Sequence, residues 1–458
     1  MKRLAALILL PLPLLTVPLH AVGIPVTGRV LAPDGKPAPG IHILLVPEIS
    51  AFEFGRLELA GKAGPAPAAS AATGADGSFR LTAPDIGMWR VRLEGAGYAS
   101  LEALLAPLTE ETELADATLA PGGGLQVKVT DPQGKPLANA WVRVERPRGI
   151  RLVTLEGWEA SGCRVAFTDA SGAATLPRQV DEEVTVWAAA PGYLPARQEK
   201  VRGSIATLRL AAGAARRIEV RDARGKPAAG VLVALPESGW VAGRTAEGGG
   251  LTLAAPAAGG DLRLAAEDGR RLGYRLRAAK PEEKGPAVIA LMPASPGSGK
   301  VVAEGTGRPL PGALVWPDRD PGALARAGAD GAFRLAHVEE EVRVFAAAPG
   351  YFSAREEASG GRVPLFKLQP RISAAGIVVD EAGRPVAGAT LKAAPAPGER
   401  GFRNAAVWQS GGFARSAASG RFQLSRLAAG MPYEVRVRRE GFAPASLELP
   451  ARAAGAAA

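Results

Sequence analysis

The 458 residues contain one cysteine, three histidines and four methionines. One cysteine excludes an intrachain disulfide framework and any thiolate zinc cluster. Three histidines are too few to assemble a Ser-His-Asp set around an exposed nucleophile, and Cys163 has no plausible base nearby, so it reads as a small residue in or beside a strand. Asparagine occurs only at Asn139 and Asn404, which excludes a Lys–Asn isopeptide bond repeated along the chain. Beyond the N-terminus no apolar run approaches the ~20 residues that a membrane-spanning helix needs. What is abundant is glycine, at 57, and proline, at 39. So much of both is unsuited to helices and lacks the three-residue period of collagen, which leaves turn-rich β structure. Apolar residues, at 47%, can fill cores, and a chain about three times the usual domain length holds several of them.

Lys2 and Arg3 precede an apolar stretch from Leu4 to about Leu19, which closes on Ala21-Val22-Gly23, small residues of the kind signal peptidase requires. Pro11, Pro13 and Pro18 interrupt the stretch and argue against an uncleaved anchor, and no cysteine stands near the cleavage site to carry a lipid. The expectation is a signal peptide over 1–23, then export to the periplasm, cell surface or medium with no transmembrane domain left. The net charge of +10 could attract acidic polysaccharide or lipid headgroups. The basic residues are scattered among 45 Asp and Glu rather than massed, so no specific nucleic-acid partner is expected.

The chain repeats itself. A Gly-basic-Pro turn occurs at Gly35, Gly134, Gly225, Gly307 and Gly383, each between two β-rich runs such as Gln126–Thr130 and Ala140–Val144. A second turn follows in each copy and leads into an alternating strand: Asp76–Leu81, Ser171–Leu176, Gly249–Leu253, Asp330–Leu335 and Ser419–Leu424. A third alternating strand runs on to an aromatic: Trp89 to Tyr98, Val184 to Tyr193, Val342 to Tyr351 and Tyr433 to Phe442, the aromatic being lost in the third copy. Period two places Trp89, Val91 and Leu93 on one face and the arginines between them on the other. The spacing divides the chain into repeats at 24–121, 122–212, 213–294, 295–370 and 371–458, each long enough for a core of its own. Pro121–Gly124, Ala211–Ala215 and Pro293–Gly299 read as Gly- or Pro-rich joints, so the expected shape is beads on a short string.

With these three motifs in order, the chain resembles a series of carboxypeptidase regulatory-like domains, of the transthyretin-like or carbohydrate-binding-like sandwich family. Asp380–Pro385 followed by Gly388-Ala389, and Ala347–Tyr351, carry the likeness best. It implies an all-β chain of five tandem antiparallel Greek-key β-sandwiches after the signal peptide. The fifth copy departs: after Leu449 no closing strand comparable to Ala206–Leu210 or Pro364–Leu368 follows, only an Ala-rich tail. Either that sandwich is one strand short or the natural protein continues.

Catalytic chemistry finds little support. His337-Val338-Glu339-Glu340 matches the H-x-x-E zinc pair of the metallocarboxypeptidases to which such domains are sometimes fused, but no histidine follows it. The matching stretch of the second copy, Gln179–Glu183, has no histidine either. Asp318-Arg319-Asp320 breaks the calcium-loop pattern at Gly322. No enzyme activity, metal or cofactor is expected. Trp158, Trp240 and Trp408 fall in the length-variable loop after the second strand of their units, with Phe52 and Phe54 in the first unit's loop from Ala51 to about Thr73, and are the candidates to stack on sugar rings. The competing reading is that each ring closes the end of its own small core. The function expected is structural or adhesive, with carbohydrate or cell-envelope components as partners; the alternatives are a pure spacer or assembly subunit and, remotely, an accessory protein of a zinc peptidase.

Overall fold

The computed structural model describes residues 2–7, 23–105, 107–114, 116–145, 152–153, 164–179, 183–256, 258–278, 285–318, 320–338, 341–358, 362–396 and 412–451. Nearly all of them are strands, turns or short connections.

The second unit shows the pattern. Gly122–Thr130 pairs antiparallel with Ala173–Gln179 on one side and parallel with Ile205–Arg209 on the other. The facing sheet runs in the order Arg164–Phe167, Trp141–Glu145, Val184–Ala189, Ala196–Val201, all antiparallel. The third and fourth units repeat the arrangement of three strands against four. In the first, Trp89–Glu94 alternates as its sequence predicts, with Trp89, Val91 and Leu93 buried. Arg90 and Arg92 on the other face pair with Glu48 and Glu102. Five separate cores lie between the sheet pairs, and each draws its buried residues from one unit, except that Phe352 of the fourth enters the core of the fifth. Each fully buried Val, Leu or Phe contributes about 1.5–3 kcal/mol.

The turns behave as local chemistry dictates. All five Gly-basic-Pro glycines have left-handed φ, between +67° and +84°. Asp131, Asp222 and Asp380 open three of these turns, each carboxylate accepting two backbone N–H groups at 2.8–3.0 Å.

Two expectations need correction. The joints are not loose: strands begin inside them at Gly122, Ala214 and Gly297. The Gly-Tyr turn of the preceding unit grips the incoming chain, with Gly122, Gly213 and Arg371 donating their amides to the carbonyls of Gly97, Gly192 and Gly350. Gly122 lies so close to Tyr98 and Ala99 that a Cβ there would overlap their backbone. After the third unit, which lacks the tyrosine, Arg270 donates to the carbonyl of Met292 instead, at 3.0 Å. Nor is the variable segment of the first unit a loop. Ala51–Leu59 forms helix α1, with the Ser50 hydroxyl accepting from the Glu53 amide at its start.

Candidate functional site

Helix α1 is where the candidate residues meet. Its Phe52 is buried against Leu232 and Val241 of the third unit. One turn on, Gly55 faces the same two side chains at a distance that leaves no room for a Cβ without displacement. Glu58, a further turn along, is buried and accepts a hydrogen bond from the indole N–H of Trp141 in the second unit at 2.9 Å. Burial pushes the Glu58 carboxyl up to about 7, against the opposing pull of that hydrogen bond and of Arg143. Phe54, on another side of the helix, is half-buried beside Gly64.

Trp240 is also interior. It is 7% exposed and packs with Trp141 and Trp187 of the second unit, so three indoles close a seam between two sandwiches. Arg143 crosses that seam and donates to the Ser238 carbonyl at 2.9 Å. The expectation that Phe52 and Trp240 present free faces to a sugar is therefore corrected: both faces are spent on neighbouring units. Trp158 and Trp408 lie outside the described residues, as does Cys163.

Other contacts join the first unit to the fourth and fifth. Met88 packs with Leu314, Trp316 and Ala347, and Trp316 stacks on Phe345 at 5.7 Å. Arg326 donates to Asp85 at 2.9 Å and to the Ile86 carbonyl at 2.7 Å. Asp320, in the turn weighed as a calcium loop, accepts from the amide of Ala51 and from Arg271, so it ties three units together. Gly322 passes so close to Ile49 and Ser50 that a Cβ would overlap their backbone. Arg371 pairs with Glu110 and Thr109 of the first unit. Burial lowers the Arg371 guanidinium pKa, which Glu110 partly restores. The second unit's variable segment contributes as well: Leu152–Val153 adds a parallel strand to the first unit's sheet at Leu104–Leu105.

Among the described residues no group of three or more His, Cys, Asp and Glu side chains could hold a metal ion. His337 accepts the Ser295 amide through Nδ1 at 3.0 Å, a bond that closes the fourth unit's entry. No helix of the described residues is long and apolar enough to cross a membrane. An open cleft of about 480 Å³ lies on the fifth unit, bordered by Arg415, Arg438 and Arg439 together with Glu440.

The sandwich of the fifth unit, with its Asp380 turn and alternating Tyr433–Arg438 strand, decides the comparison with known families. Residues 373–457 match the carboxypeptidase regulatory-like domain. No curated protein matches the chain. Among solved structures, the TIE protein of Bacillus anthracis is 12% identical over 72% of this chain and 69% of its own, with a TM-score of 0.16. The shaft pilin SpaA of Lactobacillus rhamnosus GG is 13% identical over 42% of this chain and 99% of its own, TM-score 0.18. A minor pilin of Streptococcus agalactiae is 15% identical over 41% and 96%, TM-score 0.17. TM-scores this low carry no argument about function. The carboxypeptidase regulatory-like match at 373–457 coincides with the fifth of the sequence repeats.

Proposed function

We propose that this is a non-enzymatic, exported structural protein of the cell envelope, in which five β-sandwich units at 24–121, 122–212, 213–294, 295–370 and 371–458 act as one rigid assembly part. The observation that carries this reading is the use made of the variable segments. Helix α1 and Leu152–Val153, in positions where a binding module would display its ligand-contacting loops, are spent on contacts between units. A protein that spends its loops on holding its own units together is built to keep a shape. Small-angle scattering of the exported chain tests this. The radius of gyration should lie nearer the ~22 Å of one compact body of this length than the ~50 Å of an extended five-bead string. A value near the string would overturn the reading.

A second reading, binding of an anionic envelope polysaccharide, is favoured by one observation, the three arginines around the cleft of the fifth unit. Trp408 belongs to the same unit, and with Trp158 it keeps the sugar-stacking role available. Retention on an acidic polysaccharide gel that falls in Trp408→Ala, with scattering unchanged, would support it; no retention of the unsubstituted chain would dismiss it.

A further inference from the structure

One row across the larger sheet sets the fifth unit apart. There Thr390 stands between Arg415 on one neighbouring strand and Arg438 on the other. The same register position holds Trp141, Leu232 and Leu314 in the second, third and fourth units, and each of these is buried against another unit. Where the fifth unit has Arg438, those three have Ala189, Ala265 and Ala347. Where it has Arg415, the third and fourth also have an arginine, but Arg244 donates to the Gly230 carbonyl and Arg326 to Asp85. In the first unit the central residue is His42, and it faces Glu94, a charge that repels anions. The row is therefore closed or acidic in four units, and exposed and basic in the fifth.

A third arginine joins it. Arg439 follows Arg438 and folds back over Gly388, whose missing Cβ would stand 3.4 Å from its Nη1. Arg436, on the same strand, has Glu434 as its partner at 3.0 Å. Arg415, Arg438 and Arg439 make no ion pair among the described residues. All three border the open cleft of about 480 Å³, with Thr390, Glu440 and Phe442. Three guanidiniums less the one carboxylate of Glu440 leave two positive charges. A carboxylate ligand brings one charge and is saturated by a single bidentate guanidinium. A phosphate monoester brings nearly two charges and three acceptor oxygens, which matches the cleft in both respects. The Thr390 hydroxyl between the arginines is a further donor. Phe442 supplies an apolar shoulder of the kind on which the C–H face of a sugar ring rests.

We propose that the cleft of the fifth unit is a binding site for a sugar phosphate monoester. Arg415, Arg438 and Arg439 hold the phosphate, Thr390 donates to it, and Phe442 lies against the ring. The proposal rests on the second reading above, since it takes the same cleft as a site for anions, and it names the group recognised.

Titration calorimetry on the full chain tests it, at fixed ionic strength, with glucose-6-phosphate, inorganic phosphate and glucuronate as probes. One site per chain should take glucose-6-phosphate ~10-fold more tightly than inorganic phosphate, which lacks the ring, or glucuronate, which lacks the second charge. Arg438→Gln and Arg439→Gln should each weaken that binding ~10-fold or more. Arg421→Gln removes an exposed arginine from the unit's other sheet and should leave it unchanged. Circular dichroism checks that the variants fold, and the ranking of the three probes on the unsubstituted chain does not depend on them. Affinity left intact by both cleft substitutions would overturn the proposal, as would inorganic phosphate binding as tightly as the sugar phosphate. Glucuronate binding as tightly as glucose-6-phosphate would also overturn it, while leaving the anionic polysaccharide reading standing. Matched phosphocellulose and carboxymethylcellulose gels separate the two sources of the group. Retention on phosphocellulose that glucose-6-phosphate releases supports a phosphorylated polysaccharide. Calorimetric binding without retention on either gel supports a free sugar phosphate at the cleft and dismisses the polysaccharide reading.

Discussion

At the scale of single residues, the most regular device in the protein is a buried hydroxyl. Thr73, Thr168, Thr245 and Ser416 each accept a backbone amide, from Ile41, Ala140, Val231 and Ala389. Each also donates to a carbonyl, of Ala38, Leu137, Ala228 and Val386. The hydroxyl pins the second strand of its unit to the turn before it. The fourth unit has Ala327 there. Thr168→Val should destabilise the second unit by about 2–3 kcal/mol, since it leaves a buried N–H and C=O unpaired. Ala327→Thr should stabilise the fourth by about 1 kcal/mol. Urea denaturation of the two variants checks both signs. The turn glycines were legible in the sequence because a left-handed φ is a local demand. The hydroxyls were not, because a threonine facing a core is spelled the same as one facing water.

At the scale of elements, helix α1 shows where sequence patterning stops informing. The sequence marks its segment as the variable part of the first unit, with Phe52 and Phe54 as its notable residues. The partners of this helix could not be read, because its hydrogen bonds to other units join positions 83 and 269 apart, with no periodicity linking them. Glu58 makes the docking of this helix sensitive to pH. Its carboxyl is raised from an ordinary 4.5 to about 7, so between those values the folded protein holds a proton that the unfolded chain has released. Stability should therefore fall as pH rises from about 4.5 to 7, by roughly 3 kcal/mol from this group, and level off on either side. Glu58→Gln keeps an acceptor for Trp141 and should remove that slope. Denaturation midpoints at four or five pH values, in both proteins, decide the matter; an unchanged slope in the variant would assign the dependence to other groups.

At the scale of the whole molecule, the five repeats were evident from turn chemistry alone, whereas the packing of the repeats on one another was not. A chain whose units share seams such as Trp141, Trp187 and Trp240 should not melt as five independent beads. Calorimetry should give fewer transitions than units, with the second and third melting together, and Trp240→Ala should split that pair. The central position of the first unit also sets an order of events. Synthesis delivers the N-terminal sandwich first, yet Phe52, Met88 and Asp85 find their partners only when residues 232–241, 314–316 and 326 have followed. Until then the first unit waits with its apolar side uncovered, a long-range closure of the kind that slows folding. A chain halted midway through synthesis would therefore carry an exposed adhesive face, and the later repeats serve the earliest one as its cover.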